Sequence, residues 1–178
     1  MPSSAPDAAG IHLVLGGARS GKSAFAERLV EGSGRAPVYL ATAQTFDGEM
    51  ESRVATHRAR RGPLWHTVEE PLDLCGSLRE HAKARTSVLV DCLTLWVTNL
   101  MIAERTVDAE GEALSETLAA MGDGVSVVIV SNEVGQGIVP DNAMARAFRD
   151  HAGALHQRVA EVAHHVWFVT AGLPQKLK

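Results

Sequence analysis

The feature that most constrains this chain is the run Gly16-Gly17-Ala18-Arg19-Ser20-Gly21-Lys22-Ser23, which fits the spacing GxxxxGK[ST]. It sits between an apolar β-branched stretch, Ile11 to Leu15, and a helical pattern from Lys22 to Glu31. A loop of this kind works only at such a junction. Its glycines let backbone N–H groups curl around a β-phosphate, and the helix N-terminus directs roughly half a positive charge at the same point. Lys22 would reach the β/γ oxygens as a point charge, and Ser23 would offer its hydroxyl to Mg²⁺. Gly16, Gly17, Ala18, Arg19, Ser20, Gly21, Lys22 and Ser23 are therefore the expected nucleotide-binding residues at this end of the site.

The rest of the chain repeats the same alternation. Short apolar runs at Val38 to Ala41, Ser87 to Val90, Val125 to Val130 and Val166 to Val169 read as four further strands. Between them lie helical patterns at Gly48 to Arg61, Leu72 to Ala84 (with Pro71 at its start), Leu93 to Glu104, Glu112 to Met121 and Ala143 to His164. Strands that are continuously apolar, each followed by a helix, specify a parallel sheet covered on both faces. The expected fold is an α/β, P-loop NTPase-like three-layer sandwich with a mostly parallel central sheet. At 178 residues the chain has room for one such unit, expected over 11–178 behind a flexible N-terminal tail over 1–10.

Composition narrows the function classes. The net charge of −4 argues against a dedicated nucleic-acid or anionic-membrane binder. Of the 17 cations 13 are arginine, the side chain that forks around phosphate oxygens. Cys75 and Cys92 have neither a metal-ligand nor a CxxC spacing and read as buried free thiols of a reducing compartment. No uncharged apolar run is long enough for a membrane span, because Asp91 and Asn99 interrupt the longest ones, and the first ten residues lack the features of a signal peptide. A cytoplasmic location is expected. The chain has no Asn-Lys-x-Asp tetrad, so nothing marks it as a guanine-specific signalling switch.

Two further positions carry chemistry. Asp91 ends the run Ser-Val-Leu-Val and reads either as the carboxylate that shares Mg²⁺ with Ser23 or as the N-cap of the helix starting at Leu93. His57 lies among Arg53, Arg58, Arg60 and Arg61. On a helix, positions 53, 57 and 61 share a face, so guanidinium groups would surround the imidazole and keep it neutral and nucleophilic. A solvated basic face with an incidental histidine fits the same residues. The loop Ser131 to Asn142, carrying Glu133, Gly135 and Gly137, is expected at the carboxyl end of the fourth strand, where it could close over substrate.

Five segments taken together go further: Gly-Gly-Ala-Arg-Ser-Gly-Lys-Ser at 16–23, Tyr-Leu-Ala-Thr-Ala-Gln at 39–44, Glu-Met-Glu-Ser-Arg-Val-Ala-Thr-His-Arg at 49–58, Val-Asp-Cys-Leu-Thr-Leu-Trp-Val-Thr-Asn-Leu at 90–100 and Ser-Asn-Glu-Val-Gly-Gln-Gly-Ile-Val-Pro at 131–140. In this order they resemble the bifunctional adenosylcobinamide kinase/adenosylcobinamide-phosphate guanylyltransferases of cobalamin biosynthesis. The resemblance runs from Ile11 to the C-terminus. It implies phosphorylation of adenosylcobinamide by a nucleoside triphosphate, ATP or GTP, and then transfer of GMP from GTP through a guanylyl-histidine. The family's Arg-[Val/Ile]-x-x-His pattern falls on His57, which the resemblance makes the catalytic residue. It also implies nucleotide contacts at Ala41, Thr42, Ala43, Arg58, Ala59, Arg60, Arg61, Glu69 and Asp91, a corrinoid substrate, and a homotrimer. A P-loop kinase without a covalent intermediate and a GTP-sensing regulatory module are the other readings of the same residues.

Overall fold

The computed structural model describes residues 9–44, 62–122 and 124–178. The helix expected over Gly48 to Arg61, with His57, Arg58, Ala59, Arg60 and Arg61, and the tail residues 1–8 lie outside the described residues.

A seven-stranded sheet forms the centre. Its strands are β1 (Gly10–Gly16), β2 (Ala36–Ala41), β3 (His66–Glu69), β4 (Thr86–Asp91), β5 (Ser126–Asn132), β6 (His165–Thr170) and β7 (Leu173–Lys176), in the spatial order β3-β2-β4-β5-β1-β6-β7. Every pairing is parallel except β6 with β7. Helix α1 (Lys22–Gly32) covers one face, where Phe25, Ala26, Leu29 and Val30 pack on Val14, Leu89, Val128 and Val130. The opposite face carries α2 (Leu74–His81), α3 (Leu93–Ile102), α4 (Val107–Ala119) and α5 (Ala143–Val162), whose Leu78, Trp96, Leu114 and Leu155 join Leu13, Val88, Val127 and Ile129. Helix, sheet and helix make the expected three layers.

Three local differences from the sequence reading have physical causes. β3 and β7 are additional strands, each of four residues at an edge of the sheet. Such strands carry no long apolar run, and β7 contains Pro174, which only an edge tolerates. Helix α4 starts at Val107 rather than Glu112 and runs through Gly111, where α5 packs so close that a Cβ would lie 3.1 Å from Leu155 Cδ1. Helix α2 starts at Leu74, with Asp73 as its N-cap accepting from the Gly76 amide at 2.9 Å, so Pro71 and Leu72 precede it.

Candidate active site

The carboxyl ends of the parallel strands assemble the site. Ala41 is in register with Glu69 on one side and with Asp91 on the other, and Gly16 is in register with Asn132. One strand, β5, separates the phosphate-loop strand from the strand that ends at Asp91. Chain reversal at the loop depends on Gly21, the N-cap of α1, which adopts φ 93° and so needs glycine's freedom there. Lys22 is 9% exposed and donates from Nζ to the Gly17 carbonyl at 3.0 Å, folding its ammonium back over the loop. Burial lowers the Lys22 pKa from its ordinary value, and the neighbouring Cys92 and Asp91 oppose that shift.

Asp91 is not a helix cap. The N-cap of α3 is Cys92, with extended backbone and no side-chain capping bond. The Asp91 carboxylate instead accepts a hydrogen bond from the Tyr39 hydroxyl at Oδ2, 2.9 Å away. Its other oxygen and the Ser23 hydroxyl are hard oxygen donors of the type Mg²⁺ takes. Among the described residues no group of three or more His, Cys, Asp or Glu could hold a metal by itself.

Ala41, Thr42 and Ala43 follow directly beside Asp91. Thr42 is fully buried and its polar groups are spent inside the protein. Its hydroxyl donates to the Cys92 carbonyl at 2.8 Å and accepts from the Cys92 amide at 2.9 Å, its amide donates to the Asp91 carbonyl, and its carbonyl accepts from Asn99. Thr42 thus anchors the root of the segment that leads to His57. Glu69 is exposed at the end of β3, four strands from β1 and so about 19 Å along the sheet edge. The structure groups the phosphate loop with Asp91, and Ala41 to Ala43 with Asp91; it leaves Glu69 at the far end of the same edge. Glu133 begins the loop after β5, its amide donating to the Gly16 carbonyl at 3.0 Å and its carboxylate accepting from the Gly135 amide.

Three residues that sequence reasoning did not single out bind this edge together. Tyr39 holds Asp91, Thr94 accepts from Asn132 Nδ2 at 3.2 Å, and Asn99 spends its amide on two loops, donating to the Thr42 carbonyl at 2.7 Å and to the Pro71 carbonyl at 3.0 Å. The signal for Asn99 is a polar residue interrupting an apolar helix, since a buried amide must find partners. Asn99→Leu strands two carbonyls without donors, and a loss of about 2–3 kcal/mol is expected in urea unfolding.

His156, 7% exposed on α5, shares a hydrogen bond with Ser131 Oγ at 2.7 Å. Burial lowers its pKa below the ordinary 6.5, with nearby Glu133 opposing. The folded chain therefore holds this imidazole neutral at pH values where the unfolded chain has already protonated it. More protons bound in the unfolded state means that stability rises with pH, and that this contribution is lost as pH falls below about 6.5. His156→Gln is expected to reduce the fall in urea midpoint between roughly pH 7.5 and pH 5, and an unchanged fall would contradict the assignment.

Both thiols are free and buried, as the cysteine spacing implied. Among the described residues no helix is long and apolar enough to cross a membrane.

Comparison with known proteins agrees with this geometry. The fold is similar to the crystal structure of the flagellar accessory protein FlaH from Methanocaldococcus jannaschii, with a TM-score of 0.50 and 12% identity over 95% of this chain and 78% of that one. It is also similar to a solved ATPase domain, with a TM-score of 0.51 and 12% identity over 91% of this chain and 69% of that one. These likenesses establish the P-loop NTPase fold. In sequence, the chain is 52% identical over 168 residues to the bifunctional adenosylcobalamin biosynthesis protein CobP of Pseudomonas aeruginosa, covering 93% of this chain and 96% of that protein. It is 39% identical over 181 residues to the bifunctional adenosylcobalamin biosynthesis protein CobU of Escherichia coli, covering 93% and 98%. The family model for CobU, cobinamide kinase / cobinamide phosphate guanyltransferase, matches residues 12–177. With a match of that extent, and with the phosphate loop and Asp91 set at one edge of the sheet, the chain belongs to the cobinamide kinase / cobinamide phosphate guanyltransferase family.

Proposed function

We propose that this chain is a bifunctional enzyme that phosphorylates adenosylcobinamide with ATP or GTP and then transfers GMP from GTP to the product, giving adenosylcobinamide-GDP. The observation that carries the reading is the placement of the phosphate loop at the end of β1 and of Asp91 at the end of β4, on either side of β5 at the carboxyl edge of the sheet. The phosphate loop, Gly16 to Ser23, holds the triphosphate by its amides and the Lys22 ammonium. Ser23 and Asp91 supply the oxygens for Mg²⁺, which when bound neutralises charge on the phosphates. Tyr39 orients the Asp91 carboxylate, while Ala41 and Ala43 bring backbone to the nucleotide and Thr42 fixes their path. Glu69 and Arg58 to Arg61 complete the guanine-nucleotide contacts.

In the second reaction, a neutral ring nitrogen of His57 attacks the α-phosphorus of GTP. A P–N bond forms, the bond to the bridging oxygen breaks, and pyrophosphate leaves. The phosphate oxygen of adenosylcobinamide phosphate then attacks the same phosphorus, the P–N bond breaks, and the imidazole is regenerated. Splitting the transfer in this way gives two in-line displacements at one phosphorus. The unit that does this spans 11–178, and its free buried thiols suit a cytoplasmic setting. The homotrimer rests on the family resemblance, and light scattering tests it.

Incubation with adenosylcobinamide, GTP and Mg²⁺, followed by chromatography, is expected to show adenosylcobinamide phosphate first and adenosylcobinamide-GDP later. GTP binding with neither product would favour a regulatory module. Phosphorylation without the second product would favour a simple kinase.

A further inference from the structure

The turn between β6 and β7 touches the phosphate loop from a side that neither reaction uses. Ala171 and Gly172 form this two-residue turn, both left-handed, with φ 52° and 78°. The Gly172 amide donates to the Ser20 carbonyl at 2.7 Å. Behind Gly21 the turn fills the space so closely that a Cβ on Gly21 would lie 3.0 Å from Gly172 Cα. A Cβ on Gly16 would lie 2.6 Å from the Val169 carbonyl oxygen of β6. The C-terminal strand is itself pinned: the Lys178 ammonium donates to the Ala160 and Glu161 carbonyls at the end of α5, and the Val166 amide donates to the Lys178 carbonyl.

We propose that the β6–β7 turn is a positioning element for the phosphate loop, acting through the Gly172 amide. The peptide bond joining Ser20 to Gly21 is planar, and in the trans form its C=O and N–H point in opposite directions. Tying the Ser20 carbonyl to Gly172 therefore aims the Gly21 amide away from the turn and fixes it there. The loop needs such an outside hold, because Arg19 sits at φ 54°, a region unfavourable for a side chain of its kind, and such conformations persist where surroundings over-determine them. Amides that converge on a phosphate before it arrives save the cost of ordering them on binding. The proposal rests on the reading of Gly16 to Ser23 as the triphosphate site.

Calorimetry of GTP binding to the wild-type chain tests that reading first; no binding would remove it, and this proposal with it. Gly172→Val tests the turn. Nothing lies within 4 Å of a Cβ at Gly172, so no clash is introduced, but a β-branched residue is poorly tolerated at φ 78° and the amide withdraws from Ser20. GTP affinity is expected to fall about tenfold, and the KM for GTP in the kinase reaction to rise in parallel while kcat stays within about twofold. Ala171→Gly, which keeps the turn and its amide, is expected to bind as wild type does. Unchanged GTP affinity in folded Gly172→Val would overturn the proposal. Should that variant fail to fold, hydrogen exchange on the wild-type chain decides: GTP is expected to slow exchange of the Gly172 amide severalfold, and exchange indifferent to GTP would overturn the proposal as well.

Discussion

His57→Ala is expected to lose guanylyl transfer by at least about a thousandfold while retaining phosphorylation of adenosylcobinamide, because only the second reaction passes through a covalent nucleophile. The buried groups Cys92, His156 and His12 are poor substitutes. The Cys92 thiol is buried and pushed up to about 11, chiefly by burial and then by the Asp91 carboxylate, so it carries no thiolate at neutral pH. His156 is committed to Ser131, and His12, fully buried, hydrogen-bonds the Ala9 carbonyl and the Trp167 indole. The chain leaves β2 next to Asp91, where Thr42 is held by Cys92 and Asn99. Assay of both products from one preparation gives the split. Equal loss of the two activities would assign His57 to binding the triphosphate rather than to covalent transfer.

Lys22→Ala is expected to have the opposite signature, depressing both reactions by about a hundredfold to a thousandfold, since both start from a triphosphate held by the same loop. Lys22 is 9% exposed and its ammonium rests on the Gly17 carbonyl, so its charge acts in a poorly solvated place. Lys22→Arg is not expected to rescue either reaction, because the planar guanidinium is too broad for a site shaped to a point charge. Kinetics of the two half-reactions measure this directly. A Lys22→Ala enzyme that keeps guanylyl transfer while losing phosphorylation would place the two triphosphates in separate sites.

What could be read in the sequence is what depends on local pattern. The strand from Ile11, the glycine loop and the helix from Lys22 form one continuous signal, and Asp91 at the end of a short apolar run needed only strand periodicity to be placed at the sheet edge. β3 and β7 escaped because four-residue edge strands bury one side at most and carry too few apolar residues to stand out. Thr42 illustrates a different gap: the motif around it points to nucleotide, but only tertiary structure shows its hydroxyl clamped to Cys92. The Tyr39 bond to Asp91 and the two bonds of Asn99 join residues 28 to 57 positions apart, and no spacing rule reaches that far. The turn at Gly172 is read in the sequence only as a small residue near the C-terminus, although it lies against Gly21 in space.

Peptide mass spectrometry after incubation of the wild-type chain with GTP and Mg²⁺, quenched in base to preserve a phosphoramidate, tests the covalent step most directly. A mass increment of one GMP on the peptide containing His57, absent in His57→Ala and removed by adenosylcobinamide phosphate, is the predicted result. Active enzyme that forms adenosylcobinamide-GDP with no GMP on that peptide at any time in the reaction would contradict it.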